Sequence, residues 1–360
     1  MAGGSGERFW PLSRPSRPKQ LLSLTRPDMN LLEVTVDRIA PVVQSPSIFI
    51  ATAPHLRAPI EAGQTGVPSA NILTEPHKRN TAGCLTWVAA SLLARFPGEE
   101  HRVSMSILTA DHAIPDLEAF RDDVTALMNH VETHDALGVI GVPPTRPETG
   151  YGYIELATPP KSHSNRAECI APVVRFREKP DLPTATTFQA SGRHFWNSGM
   201  FFWRLSSFLH AMKLASPIHE LAARSIAQAL ASGDNERANH IFAGLPDVSI
   251  DVALMEKAQH VVMMPASFAW DDIGAWDALG RLYSPDAAGN VNVGQAVLHD
   301  CRQCVVLNEP GPGEMAVAVV GMEGITVVVA RDAVLVLPTE RAQDVRAAVR
   351  ELRQRGAPQV

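Results

Sequence analysis

The sequence predicts an α/β protein with a mixed, mainly parallel sheet and helices on both of its faces, followed by a small β-rich unit. Three observations carry that reading. Apolar runs of strand length alternate with segments of helical period as far as residue 283. Beyond it, short apolar runs succeed one another across turn residues, with little helical pattern between them. The chain is 360 residues long and 45% hydrophobic, enough to bury the core that such a layered sheet requires.

Taken in order, strand-like runs fall at 47–51, 103–108, 137–141, 173–176, 199–203 and 260–264. Runs of this kind look like strands buried in a sheet covered on both faces. Helical patterns at 81–95, 116–132, 206–215 and 217–231 lie between several of them. In the tail, runs at 294–298, 304–308, 315–320, 325–330 and 333–337 are interrupted by a Pro- and Gly-bearing joint at 309–314, and an amphipathic segment over 340–355 closes the chain. The expected units are therefore 1–283 and 284–360. Ligands of such sheets gather at the carboxyl ends of strands, so the loops that follow strands are where chemistry is expected.

A glycine-rich segment begins at residue 2, whereas a phosphate loop of this kind ordinarily follows a buried strand. Either Met1 is an internal residue of that strand and the start lies upstream, or the sheet lacks a central member. The first is favoured, because losing a central strand leaves its neighbours' backbone groups unpaired. The chain as written is expected to be less stable than one carrying the strand.

A formal net charge of −6 and the absence of a basic stripe argue against nucleic acid as a partner. No signal-like N-terminus is present, and no apolar run reaches the roughly 18 residues a membrane span needs, so a cytoplasmic protein with no membrane partner is expected. The cysteines, Cys84, Cys169, Cys301 and Cys304, are too scattered for a disulfide framework. One isolated C-x-x-C falls short of a zinc site, and reduced structural thiols are expected.

Gly3, Gly4 and Gly6, around Ser5, let backbone N–H groups approach a polyphosphate, and Arg8 adds a forked cation. The segment is neither a Walker A loop, lacking Gly-Lys-Ser/Thr, nor a dinucleotide fingerprint. Asp111 follows a strand-like run and Asp272 sits in a turn-like Trp270-Asp271-Asp272-Ile273-Gly274 stretch. Each could equally cap a helix or turn, or meet a cation. Glu178 and Lys179 again follow a strand, as a surface charge pair or a sugar-phosphate contact. Asn80 and Thr81 open a helix, where capping alone would explain them. His112 lacks a partner at metal or triad spacing and is read as packing.

The run from Gly3 through Trp10-Pro11-Leu12-Ser13 to Pro18-Lys19-Gln20 resembles the signature of the nucleotide-sugar pyrophosphorylases, in the mannose-1-phosphate guanylyltransferase branch. The resemblance continues in order through Glu75-Pro76, Arg79-Asn80-Thr81-Ala82, Ala110-Asp111-His112, Pro147 to Ile154, Glu178-Lys179-Pro180, Trp196 to Met200, Ser249-Ile250-Asp251 and Trp270 to Trp276. The tail at 334–345 is similar too, so nearly the whole chain is covered.

The resemblance implies a Rossmann-like nucleotide-diphospho-sugar transferase fold with a small C-terminal domain like a left-handed β-helix. It implies GTP and mannose 1-phosphate as substrates and Mg²⁺ as cofactor. Asp111 and Asp272 are the implied metal ligands, with Asp271 the rival of Asp272. Arg8, Lys19 and Lys179 are implied at the phosphates; Gly3, Gly4, Ser5, Gly6, Glu75, Arg79, Asn80 and Thr81 along the nucleotide; and Thr149, Gly152, Glu178 and Asn197 at the sugar. The implied chemistry is in-line attack of the sugar phosphate on the α-phosphorus. Alternatives are another sugar 1-phosphate, such as a heptose, or a non-catalytic relative that senses GDP-mannose. A homodimer is plausible, and an isomerase activity, which longer relatives carry on an added domain, is not expected. Glu7 departs from the family's usual small polar residue and sets a carboxylate near the triphosphate, where it either weakens binding or faces solvent.

Overall fold

The computed structural model describes residues 1–4, 6–160 and 165–360. Eight strands build the larger unit: β1 (Ile50–Thr52), β2 (Ile72–Thr74), β3 (Ser104–Ile107), β4 (Leu137–Val142), β5 (Tyr153–Leu156), β6 (Ala171–Arg177), β7 (His194–Arg204) and β8 (Val261–Pro265). Its helices are α1 (Leu31–Ile39), α2 (Arg57–Ala62), α3 (Asn80–Arg95), α4 (Leu117–Thr133), α5 (Leu182–Ser191), α6 (Leu205–Ala215), α7 (Pro217–Ala231), α8 (Asn235–Ala243) and α9 (Leu279–Leu282).

The main sheet has the order β3-β7-β4-β8-β6-β5, with the start of β7 also paired to β5. Strands β3, β4, β8 and β5 run one way and β7 and β6 the other. By pairing the sheet is mixed: β4–β8 is its one parallel pairing among the described residues, because β7 and β6, which run against the rest, each lie between strands of the other direction. β4 is buried along its whole length, as its unbroken apolar run requires.

Local chemistry explains the helix ends near the site. α1 begins in a capping box in which the Asn30 side chain accepts from Glu33 N and Glu33 accepts from Asn30 N. α5 starts where Asp181 accepts from Thr184 N and stops at Gly192, whose φ of 66° suits a residue without a Cβ.

A slot runs through the sheet plane. β1 and β2 form a separate parallel pair, and the free edges of β1 and β3 face each other across an apolar groove of about 420 Å³. The groove is roofed by Leu85, Val88 and Leu92 of α3 and floored by Leu32, Val36 and Ile39 of α1. Met1 and Ala2 bridge its end: the Met1 amine donates to Leu108 O at 2.7 Å, Ala110 N to Met1 O, and Ala2 N to Ala51 O. Those two residues pair as a parallel strand would. Burial in this apolar setting lowers the pKa of the Met1 amine.

The tail stacks β9 (Val291–Val293), β11 (Val305–Asn308) and β13 (Ile325–Val329) in parallel, with β14 (Val334–Pro338) antiparallel to β13, and pairs β10 (Val297–His299) with β12 (Ala318–Val320). Parallel rungs on two faces are a β-helix arrangement. The closing segment is not one helix over 340–355: a 3₁₀ stretch, Thr339–Asp344, is kinked at Arg341, and α10 (Val345–Gln354) follows.

The tail does not stand apart from the N-terminal segment. Phe9, Trp10, Leu12, Leu22 and Leu24 share one core with Val291, Val305, Leu307, Val328, Leu335, Val345 and Val349. The Trp10 indole N–H donates to Gln359 O, and the Tyr283 hydroxyl donates to Leu24 O. Burying five such side chains at about 1.5–3 kcal/mol each makes the contact a structural one.

Candidate active site

The glycine segment turns sharply back on itself. Gly6 has φ of 62°, and a Cβ there would lie 2.5 Å from Lys19 Cβ, so only glycine admits the two segments this close. That approach delivers Lys19, whose side chain is 9% exposed and whose ammonium lies near the Phe9 ring. Its Nζ donates to Asp111 Oδ2 at 2.9 Å and to Asp272 O at 2.6 Å.

Asp111 and Asp272 are far apart in sequence, and backbone pairing brings them together. The loop after β3 and the loop after β8 join in an isolated antiparallel bridge, with Ala113 N donating to Asp271 O and Asp271 N to Ala113 O. Asp111 lies four residues beyond β3 in a turn, not on the strand end itself. Burial raises the Asp111 carboxyl pKa, but Lys19 and then His112 outweigh it, leaving the group below its usual range. Asp272 goes the other way: burial dominates and lifts it, against hydrogen bonding from Tyr151 and the charge of Lys19. The Tyr151 hydroxyl donates to Asp272 Oδ1 at 2.6 Å.

Asp271, the rival of Asp272, is already engaged. It takes Arg281 Nε at 2.6 Å and Ile273 N at 2.8 Å. Arg8 donates from Nη1 to Gly274 O, so its guanidinium sits against the same turn. Burial and, next, the charge of Arg346 lower its pKa. His112 is neutral over ordinary pH, because burial drops its pKa to about 4. Its Nδ1 accepts the Trp270 indole N–H at 3.0 Å, in an edge-to-face contact.

Beside this cluster lies a cavity of about 860 Å³, large enough for a nucleotide. Its wall includes Gly3, Gly4, Glu75, Arg79, Asn80, Thr81 and Asp111. Asn80 stands at φ 55° at the head of α3, and Thr81 Oγ1 accepts from Ile250 N. The Arg79 guanidinium is tied to the end of α8, with Nε donating to Ala243 O at 3.2 Å. Burial raises the Glu75 carboxyl pKa, partly offset by the Cys84 thiol and the Met1 amine. Ser5 lies outside the described residues.

The expected sugar residues form a second group, outside that cavity wall. A Cβ on Gly152 would lie 2.8 Å from Glu178 Oε2 and 3.6 Å from Asn197 Cβ, so the three meet around a glycine. Asn197 N donates to Gly152 O, and Asn197 Nδ2 donates to Asp251 Oδ1 at 2.7 Å. Lys179, at φ 37°, pairs with Glu178 at 2.9 Å with both side chains largely exposed. Thr149 is exposed on the β4–β5 loop.

Three residues here were not singled out by sequence reasoning. Tyr151 anchors Asp272, and Asp251 lies against Asn197 with its carboxyl raised by burial. Arg146 donates to the Tyr151 hydroxyl and lies over the Trp196 ring at 5.1 Å. Tyr151 and Asp251 both sit inside motif segments, but only a fold reveals their partners.

Two carboxylates lie by one ammonium here, Asp111 bonded to it and Asp272 within reach of its charge and of the Arg8 guanidinium. Among the described residues no group of three or more His, Cys, Asp or Glu could enclose a metal ion. A hard divalent cation fits such a donor set if substrate oxygens complete its shell.

Residues 1–287 match the nucleotidyl transferase family, and residues 294–352 match the MannoseP isomerase/GMP-like beta-helix domain. By fold and site the chain belongs to the nucleotidyl transferase family. Among similar proteins, the alginate biosynthesis protein AlgA of Pseudomonas aeruginosa is 35% identical over 99% of this chain and 72% of its own length. The mannose-1-phosphate guanylyltransferase of Escherichia coli is 34% identical over 98% of this chain and 73% of its own. A solved structure from Thermus thermophilus, described as a mannose-1-phosphate geranyltransferase, superposes with a TM-score of 0.84 at 34% identity over 98% of both chains. Within the larger family, the chain therefore belongs with the mannose-1-phosphate guanylyltransferases. Among the described residues no helix is long and apolar enough to cross a membrane.

Proposed function

We propose that the chain transfers GMP from GTP to α-D-mannose 1-phosphate, giving GDP-mannose and pyrophosphate. The observation that carries this reading is the meeting of Lys19, Asp111 and Asp272 beside a cavity of nucleotide size. The names of the full-length relatives supply the sugar and the base.

In this reading an oxygen of the sugar phosphate attacks the α-phosphorus while the bond to the β-phosphate breaks, and its electron pair leaves with pyrophosphate. No side-chain nucleophile or base is needed, because the attacking phosphate is already an anion. The difficulty is electrostatic, and charge placed in advance is what lowers such barriers. Lys19 holds Asp111 and the Asp272 turn in register and offers its ammonium to the phosphates. Arg8, seated on Gly274, adds a second fixed cation. Asp111 and Asp272 would hold Mg²⁺, which supplies charge neutralisation between the two phosphates when bound. Glu178 and Asn197 take sugar hydroxyls and Lys179 the sugar phosphate, while Glu75, Asn80 and Thr81 line the nucleoside. The same reading assigns this chemistry to residues 1–283 and the β-helix unit to 284–360.

The test is pyrophosphate release by purified protein given Mg²⁺, mannose 1-phosphate and each nucleoside triphosphate in turn. Release with GTP well above the others supports the reading. Release with none, or with another nucleoside triphosphate well above GTP, overturns it.

A further inference from the structure

The C-terminal helix reaches the phosphate loop. α10 packs on the Glu7–Phe9 turn, and Val349, Arg353 and Val360 line the same cavity as Gly3, Gly4 and Asp111. Arg353 Nη2 donates to Glu7 Oε1 at 2.9 Å. Arg346 lies seven residues earlier on the same helical face, close enough to Arg8 for its charge to be felt there. The tail unit thus places Arg353 in the wall of the cavity that Glu75, Asn80 and Thr81 also line, with the Arg346 charge near Arg8.

Glu7 alone would oppose a polyphosphate in this place. Paired with Arg353 its charge is cancelled, but the pair is weak and open, with side chains 37% and 56% exposed. A guanidinium held so lightly can exchange a carboxylate for phosphate oxygens, which it binds as a two-pronged donor. Resting on the reading that the cavity takes GTP, we propose that Arg353 is a ligand of the β- and γ-phosphates, held ready by Glu7, so that the tail unit completes the nucleotide site. Glu7 then sets nucleotide affinity by competing for that guanidinium.

The test measures Kd for GTP, pyrophosphate and GMP in wild type, Arg353→Ala, Arg353→Lys, Glu7→Gln and the Glu7→Gln/Arg353→Ala double variant. Arg353→Ala should weaken GTP and pyrophosphate about tenfold and leave GMP unchanged, because GMP lacks the phosphates the arginine reaches. Arg353→Lys should retain part of that affinity, as a point charge without the fork. Glu7→Gln should tighten GTP about threefold, and the double variant should lose that gain. Glu7→Gln keeps Arg353 in place, so this arm stands even if the alanine variant folds poorly. Equal losses for GTP and GMP in Arg353→Ala, or no loss, overturn the inference. Failure of the wild type to bind GTP would instead overturn the functional reading beneath it.

Discussion

The two ends of the candidate site are built to different standards. At the Lys19 end, one buried ammonium bonds both loops, a tyrosine fixes Asp272, and a backbone bridge locks the turns together. At the Glu178 end, the charged pair is largely exposed, Lys179 holds a left-handed backbone conformation, and Thr149 stands on an open loop. The first arrangement keeps its charges in place before any ligand arrives; the second leaves its charges in water. The contrast teaches where each end acts. Fixed charge lowers a barrier, because no reorganisation is needed when the reaction occurs, whereas mobile exposed charge contributes mainly to holding the ligand.

The largest effect that could break this contrast is at the fixed end. Lys19→Ala and Asp272→Ala should each lower kcat by about 10² to 10³, with Kd for mannose 1-phosphate nearly unchanged. Steady-state kinetics with melting curves checks it, since Lys19→Ala also strips Asp111 of its cation. Tyr151→Phe should fall between, losing about tenfold in kcat through the looser Asp272 carboxylate. A Lys19→Ala enzyme with wild-type turnover would show that the buried ammonium is only a strut.

At the open end the split should reverse. Glu178→Gln and Lys179→Ala should raise KM for the sugar phosphate about tenfold and lower kcat far less, because they remove binding felt equally before and during the reaction. Kinetics at saturating GTP separates the two parameters. A fall in kcat with constant KM in Glu178→Gln would erase the distinction between the ends.

Legibility in the sequence followed the same divide. Apolar runs marked β3, β4, β7 and β8, and α7 falls on its expected span; β4 is buried on both faces, whereas β3 buries alternate residues. β2, β5 and α1 were missed: two are short strands, and α1 carries its signal in the Asn30 capping box rather than in a long apolar stripe. The meeting of Asp111 with Asp272 rests on the Ala113 to Asp271 bridge, a contact between distant parts of the chain that no local pattern encodes. Resemblance alone brought the two together in advance. It left Asp271 and Asp272 as rivals, and the Arg281 contact separates their surroundings. It gave no hint of Asp251 as a partner of Asn197, since hydrogen bonds between loops cannot be read from residue type.

The smallest effect sharpens the comparison at Asp251, which lies against Asn197 in the group proposed for the sugar but is half-buried rather than open. Burial is the leading cause of its raised pKa, ahead of the opposing hydrogen bond from Asn197, and the nearby Glu178 charge adds to it. A carboxyl whose folded pKa exceeds its unfolded value favours the folded state when protonated, and that contribution fades as pH rises through the folded pKa. At pH 8 the anion is therefore a burden on stability. Asp251→Asn keeps an acceptor for Asn197 Nδ2 and removes the charge, so it should raise Tm by roughly 1–3 °C at pH 8. The gain should shrink as pH falls and vanish once the wild-type carboxyl is protonated in both states. The same variant should bind mannose 1-phosphate more weakly, because a carboxylate accepts sugar hydroxyls more strongly than an amide. Thermal melts across pH, paired with sugar-phosphate titrations, read both quantities. A lower Tm at pH 8 would mean that the Asn197 contact outweighs desolvation and that Asp251 belongs to the scaffold. Unchanged binding alongside a higher Tm would confine the sugar end to its exposed pair.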